Sequence, residues 1–331
     1  MKAVTPYEEL ISAASSLVST EIFEDTAIVS DEKTRLYLAS NRQALEKARL
    51  ALKQQCVVPL RNDAEFYSEH MQRLPDFRVL AKSFVLELHQ ARDVRRWSDA
   101  ARIGVDLLTL GNAVRRGGLI TDMLISLAFY AMGLEELRTL RTNFDEAVRK
   151  SLRRDLARTA RAAEPLREIA KRDRQWEAAV GWAEQACDFN GPEYASLRDN
   201  LSEDQQIAWQ VNQSFLELPR DIHHALHVMF DRKRIAMQRM LFVDLALRSY
   251  HAAAGEYPDR LAALAPAICR RVPGDPFAGE PFRYWRDTAD AFVLYSVGPR
   301  QTDHQGQLGS WLDIMAGRAD FCLDFDDWPL E

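Results

Sequence analysis

The stretch Tyr250–Gly298 decides the fold of the C-terminal part of the chain; it reads YHAAAGEYPDRLAALAPAICRRVPGDPFAGEPFRYWRDTADAFVLYSVG. Two of its segments, Phe282–Arg286 and Ala291–Val297, are rich in aromatic and β-branched residues, and the polar residues 287–290 lie between them. This pattern predicts two antiparallel strands joined by a hairpin turn. The prolines and glycines before the first strand predict a tight irregular loop.

A long helix is predicted immediately before the hairpin region. Neither Gly nor Pro interrupts residues 221–254, and apolar residues recur there at helical spacing. Gly255 follows the last apolar turn and Pro258 comes soon after, as is typical of a helix end. A short helix over Arg260–Leu264, capped by Asp259, is predicted next.

The order of these elements resembles the globular part of the major pseudopilin of bacterial type II secretion systems. The matching residues are Gly255, Tyr257, Pro258, Leu261, Leu264, Pro273, Asp275, Pro276, Phe277, Gly279, Pro281, Tyr284, Tyr295, Ser296 and Gly298. The resemblance covers the C-terminal third and implies a long helix packed on a small antiparallel sheet. Unlike in pseudopilins, about two hundred residues precede the long helix, which is not apolar. The combination is also similar to large bacterial proteins that join a helical N-terminal region to this module.

The preceding residues predict helices and no sheet. We expect an all-helical domain over residues 1–218, a bundle or short helical-repeat array, followed by the pseudopilin-like α+β module over residues 219–331. Helices are predicted from Pro75 to Arg115 as a pair, over Leu119–Leu140, and as a charged amphipathic pair split at Pro165, whereas the polar stretch 62–75 predicts a loop. The expected buried positions are Phe84, Leu88, Trp97, Leu108, Leu124 and Leu127.

Composition limits the classes of function. The chain has 331 residues, of which 47% are hydrophobic, and its net charge of −6 argues against nucleic acid as a partner. Its most apolar run, Met123–Leu134, is shorter than the roughly 20 residues of a membrane span. No signal-peptide pattern opens the sequence, so a cytoplasmic location is expected for a full-length chain; a periplasmic or envelope-associated location is the alternative if an N-terminal anchor has been removed. The spacing of Cys56, Cys187, Cys269 and Cys322 favours buried free thiols over disulfides.

The resemblance implies a calcium site in the loop after the hairpin. Major pseudopilins hold calcium there between loop carbonyls and two carboxylates, and Asp303 and Asp313, with Asp320 nearby, occupy the corresponding region. Calcium requires six to eight hard oxygen ligands. Arg300 stands where the family has an acidic residue, so a guanidinium group from Arg300 or Arg318 is an alternative to the ion. We expect Asp303 and Asp313 to approach each other across the cation or the arginine.

A second candidate metal site lies on the long helix. His223, His227 and Asp231 are spaced i, i+4, i+8 and therefore share one helix face. Two histidines at i, i+4 can chelate a transition metal. The alternative interpretation is an ordinary polar face near the start of a helix, since the sequence identifies no further ligand.

Two functions are compatible with these patterns. The first is a non-enzymatic interaction or assembly protein, linked to a secretion or envelope system, that acts with a protein partner or as a homo-oligomer. The second is a metal-dependent hydrolase that uses the His223, His227 and Asp231 face. No nucleophile elbow, Walker loop or dinucleotide-binding glycine motif is present in the sequence, and the first function is the one we favour.

Overall fold

The chain is mainly helical and carries one small antiparallel sheet, as the sequence predicts. A computed structural model describes residues 4–23, 31–180 and 220–324. The α-helices are α1 Pro6–Ala14, α2 Asp31–Ser40, α3 Arg42–Leu52, α4 Ala64–Asp93, α5 Trp97–Arg115, α6 Ile120–Leu140, α7 Glu146–Ala162, α8 Leu166–Val180, α9 Arg220–Ala254 and α10 Trp311–Ala316. The 3-10 helices are Thr20–Phe23, Arg141–Asn143 and Leu261–Leu264. The strands are β1 Arg283–Thr288, β2 Ala291–Ser296 and β3 Phe321–Cys322.

The prediction of a loop over residues 62–75 is wrong, because α4 runs through this stretch. The Asp63 carboxylate accepts a hydrogen bond from the Phe66 backbone N–H at 2.6 Å and starts the helix there. Pro75 lies inside the helix, where its missing N–H removes one backbone hydrogen bond. Phe66, the third residue of the helix, and Leu74, directly before the proline, are both buried, and this packing offsets the loss.

Among the described helices, the antiparallel pair α5 and α6 makes the most extensive contact. Two glycines allow their backbones to approach closely. A Cβ atom added to Gly133 would lie 2.8 Å from the Gly104 carbonyl oxygen, and one added to Gly104 would lie 2.7 Å from the side chain of Leu137. Both contacts are shorter than ordinary van der Waals distances, so the interhelical spacing depends on these two positions.

Gly133→Ala is expected to lower the free energy of unfolding by about 1–3 kcal/mol, the usual cost of overpacking. Alanine would gain about 1 kcal/mol in helix propensity, but its methyl group would meet a backbone carbonyl that moves only with the whole helix. Gly104→Ala is the matched comparison, because its methyl group would meet the side chain of Leu137, with Cγ and Cδ2 each at 2.7 Å, rather than a backbone carbonyl. Urea unfolding should show the larger loss for Gly133→Ala, and a Gly133→Ala protein as stable as the wild type would contradict the close approach.

The predicted buried face is confirmed at three positions. Phe84, Leu88 and Leu108 are fully buried. Trp97, Leu124 and Leu127 are only partly buried. The apolar surface of α6 is divided, because one side joins the main core while Leu124 and Leu127 pack with Met123, Leu166 and Ile169 in a smaller cluster under α8. No strand occurs in the described residues before position 181, as predicted.

Helix α9 connects the helical layers to the sheet. It has the predicted extent, ends before Gly255 at φ +80°, and packs against α6, α7 and β2. Its buried residues, including Leu241 and Leu245, belong to one hydrophobic cluster that extends from α1 to the sheet. The predicted domain boundary between residues 218 and 219 lies outside the described residues.

The sheet has the order β1-β2-β3, with both neighbouring pairs antiparallel. The predicted hairpin is confirmed, with the turn at Ala289 and Asp290. Phe292 and Leu294 pack on the main core, whereas Val293 and Tyr295 belong to a separate cluster. The third strand, β3, lies at one edge of the sheet, and both of its residues, Phe321 and Cys322, are buried.

Three smaller features complete the description. Asp259 does not cap the short helix as predicted; it forms an ion pair with Arg286. Cys56, Cys269 and Cys322 are buried free thiols, as expected, and Cys187 lies outside the described residues. Among the described residues, no helix combines the length and apolar character needed to cross a membrane.

Candidate functional site

The loop that was predicted to bind calcium lies against the outer face of the sheet. A Cβ atom added to Gly306 would lie 3.1 Å from Val293 Cγ1 and 3.5 Å from Tyr295 Cδ1, and the φ of Gly306 is +81°. Glycine accommodates both the contact and the left-handed backbone at no steric cost. The loop therefore covers the apolar cluster on that face, and its carboxylates bind groups that hold the loop in this position.

Asp303 joins the loop to the hairpin. Its carboxylate accepts hydrogen bonds from the Tyr295 hydroxyl at 2.7 Å and from the Gln305 backbone N–H at 2.9 Å. The guanidinium group of Arg283 lies 3.3 Å away. The tyrosine and backbone hydrogen bonds, helped by Arg283, hold the pKa of Asp303 below its ordinary value. Asp303 is thus ionised and bonded to both strands of the hairpin.

Asp320 organises the same loop from its buried end. Its side chain is 0% exposed and accepts hydrogen bonds from the backbone N–H groups of His304 at 3.0 Å and Gly306 at 2.8 Å. Burial raises the pKa of Asp320, and the two N–H groups oppose that rise. The carboxylate accepts hydrogen bonds from loop N–H groups that have no backbone carbonyl as a partner within the described residues. Its role is therefore structural.

Asp313 caps helix α10. Its carboxylate accepts hydrogen bonds from the hydroxyl and backbone N–H of Ser310, and Arg318 Nη2 lies 2.8 Å from it. Hydrogen bonds from Ser310 and Arg318 hold its pKa below the ordinary value. Arg300 donates instead to the Met315 carbonyl oxygen at 2.9 Å. In the described chain Asp303 and Asp313 therefore each have an arginine of their own, and no residue is bonded to both.

The metal-ligand face predicted on α9 contains a buried ion pair. His227 and Asp231 are both buried, and the side chain of His223 lies outside what the structure describes. Asp231 Oδ1 lies 3.0 Å from Arg115 Nη1 and 3.0 Å from Arg234 Nε. Burial alone would raise the pKa of Asp231, but Arg234 and Arg115 together outweigh it and hold the pKa below its ordinary value. The carboxylate is committed to two cations of the chain itself.

The ion pair extends into a polar network across four helices. Arg234 lies over the ring of Tyr130 at 4.7 Å and donates to Gln238 Oε1 at 3.4 Å. Gln238 in turn donates to Thr159 Oγ1 at 2.9 Å, which connects α9 to α7. The Nε and Nη2 atoms of Arg115, which is 0% exposed, have no hydrogen-bond partner among the described residues. One carboxylate thus compensates two buried guanidinium groups.

Two buried polar pairs were not predicted from the sequence. Arg115 and Asp231 are 116 residues apart in the chain, and no local pattern joins them. His70 Nε2 lies 2.5 Å from Asp122 Oδ1, and both side chains are nearly completely buried. A partial signal existed for Asp122, because it is the third residue of α6 and accepts the Leu119 backbone N–H as a capping residue does.

Neither family models, nor curated proteins, nor solved structures give a match to this chain. The pseudopilin resemblance accordingly rests on the matching residues of the C-terminal third. Within the described ranges, no group of three or more His, Cys, Asp or Glu side chains is positioned to hold a metal ion.

Proposed function

We propose that the chain is a non-enzymatic interaction or assembly protein whose C-terminal third is a pseudopilin-like module, acting with a protein partner or a second copy of itself. The observation that supports this proposal most is that the carboxylates predicted as metal ligands form ion pairs with arginines of the chain itself. Asp231 holds two buried arginines, and Asp303 and Asp313 hold Arg283 and Arg318. These carboxylates stabilise a scaffold.

Contacts of the helical layers with the residues that follow β3, and contacts between α7 and α9, support a rigid scaffold. Arg138 Nη1 donates to the Leu323 carbonyl oxygen at 2.8 Å, and Arg141 Nη2 lies 2.7 Å from both carboxylate oxygens of Asp324. Arg153 Nη1, from α7, donates to the Leu245 carbonyl oxygen in α9 at 3.1 Å. Such a scaffold presents fixed surfaces to a partner at low entropic cost.

The resemblance supports a link to a secretion or envelope system, in the cytoplasm for a full-length chain or on the envelope side if an anchor has been removed. It also supports calcium as a ligand of the loop. An ion bound by Asp303 and Asp313 would have to replace the Arg283 and Arg318 contacts. We expect the arginines to hold these positions without calcium.

Capture of the tagged chain from its native cells, followed by reconstitution of the complex from purified components, tests the interaction function. Metal analysis of the purified protein tests the hydrolase alternative. We expect a metal-free protein with identical thermal melts in calcium and in chelator. Stoichiometric zinc or iron that is lost in His227→Ala would favour the hydrolase, and a lower melting temperature in chelator that disappears in Asp313→Ala would establish calcium.

A further inference from the structure

Helix α7 presents a row of basic residues to solvent. Its buried face, which includes Leu152 and Leu156, packs towards α5 and α9. The opposite face carries four exposed basic residues, which we call the α7 stripe: Lys150, Arg154, Arg158 and Arg161. At about 100° per residue the four lie within roughly 80° of one another. At 1.5 Å per residue the stripe is roughly 16 Å long.

The charges of the stripe are only weakly compensated. Arg158 pairs with Asp155 at 3.0 Å, and the contact of Arg154 is with the Ser151 hydroxyl at 3.5 Å. Lys150 and Arg161 have no ion-pair partner among the described residues. Like charges at i, i+4 destabilise a helix, and the chain as a whole carries a net charge of −6. Helix stability and general surface charge therefore do not account for the stripe.

We propose that the α7 stripe is the docking surface for an acidic segment of a partner protein. This inference rests on the proposed interaction function and names the chemistry of the partner. Guanidinium groups bind carboxylates in planar, bidentate pairs. A partner helix with carboxylates at four-residue spacing would place them at the same pitch as Lys150, Arg154 and Arg158.

An acidic protein segment fits the stripe better than a lipid surface or nucleic acid. Helices that bind membranes insert an apolar face, but the apolar face of α7 is buried, and none of the exposed large hydrophobic side chains in the described residues lies on α7 or α8. Nucleic acid is a long polyanion whose binding depends on extended positive potential, whereas the stripe is only roughly 16 Å long.

The test is fluorescence anisotropy with a labelled peptide of about 20 residues, long enough to form a helix, with glutamate at four-residue spacing. The stripe variant replaces Lys150, Arg154, Arg158 and Arg161 by Gln. The matched control replaces the exposed basic residues Arg35, Arg42, Lys53 and Arg95 by Gln and changes the net charge equally. We expect the stripe variant to bind at least about tenfold more weakly than the control, and the wild-type affinity to fall with added salt.

Three results would overturn the proposal: no binding of the peptide to the wild type, equal binding by the two variants, or tighter wild-type binding to phosphatidylserine vesicles or to duplex DNA. Melting curves test whether both variants are folded. If the fourfold stripe variant does not fold, the single variant Arg161→Gln replaces it and should also weaken binding of the peptide. A negative result in this experiment rules out the α7 stripe as the docking surface but not the interaction function. The reconstituted complex tests that function separately, because it can form through another surface.

Discussion

Asp231→Asn is expected to lower the free energy of unfolding by about 3–5 kcal/mol, the cost of leaving buried charges without their partner. The substitution keeps the shape of the side chain but removes the negative charge between Arg115 and Arg234, which are 0% and 7% exposed. Urea unfolding at neutral pH, followed by tryptophan fluorescence, measures the loss. It should be among the largest for any single polar substitution in the chain.

Replacing Arg115, the other member of the ion pair, should change the free energy of unfolding much less than replacing Asp231. Arg115→Met removes a guanidinium group whose Nε and Nη2 atoms have no hydrogen-bond partner in the described part of the chain, and it leaves Asp231 paired with Arg234. The methionine side chain fills much of the same apolar path. We expect a loss below about 1 kcal/mol or a gain in stability, since replacing buried charges by apolar groups is often neutral or stabilising. Equal losses in Asp231→Asn and Arg115→Met would contradict this description of the network.

The pH dependence follows from the lowered pKa of Asp231. An acid whose pKa is lower in the folded state contributes stability that is present above its unfolded pKa of about 3.9 and is lost as the pH falls through the folded value. The difference between the wild type and Asp231→Asn should therefore be full at neutral pH and shrink only in strong acid.

Local signals account for the parts of the fold that the sequence predicted well. Helix α9 has an uninterrupted apolar pattern and a glycine at its end, and the hairpin has two aromatic segments around a polar turn. The first half of α4 was mistaken for a loop because residues 62–75 are polar and end in a proline. Its helical state depends on the burial of Phe66 and Leu74 against other elements, which no local pattern contains.

The candidate sites show the same division between local and distant information. The i, i+4, i+8 spacing on α9, which is a local pattern, identified Asp231 as a candidate site residue. Its partner Arg115 is brought to it only by tertiary packing, because α9 packs against α6 and α7, which both pack on α5. In the loop, Asp303 was identified through the family resemblance, whereas its bond to the Tyr295 hydroxyl depends on the loop lying over the outer face of the sheet. The sequence therefore located the charged residues and named Arg318, which pairs with Asp313, but it did not identify the partners of Asp231 and Asp303.

Asp173 on α8 is a carboxylate whose ionisation costs stability. It accepts a hydrogen bond from the Ile120 backbone N–H at 2.9 Å, at the start of α6. Burial raises its pKa to about 6 from an ordinary value of 3.8, and the nearby Glu177 and Asp122 add to the rise. The helix dipole of α6 acts in the opposite direction, because the N-terminus of a helix stabilises negative charge. The net effect is a group that the folded chain holds more readily in its protonated form.

Asp173→Asn is expected to raise the free energy of unfolding by about 1–2 kcal/mol at pH 7.5, less than the roughly 3 kcal/mol that a shift of about two pKa units represents, because the side chain is partly exposed and lies at a helix start. An acid with a raised folded pKa contributes its full stability below the unfolded pKa and loses it as the pH rises through the folded value. The gain should therefore disappear near pH 4, where the wild type is protonated as well. Asp287→Asn, at an exposed residue of the hairpin, is the control for loss of one negative charge. A gain that stayed the same from pH 4 to pH 7.5, or that the control reproduced, would show that ionisation of Asp173 is not its cause.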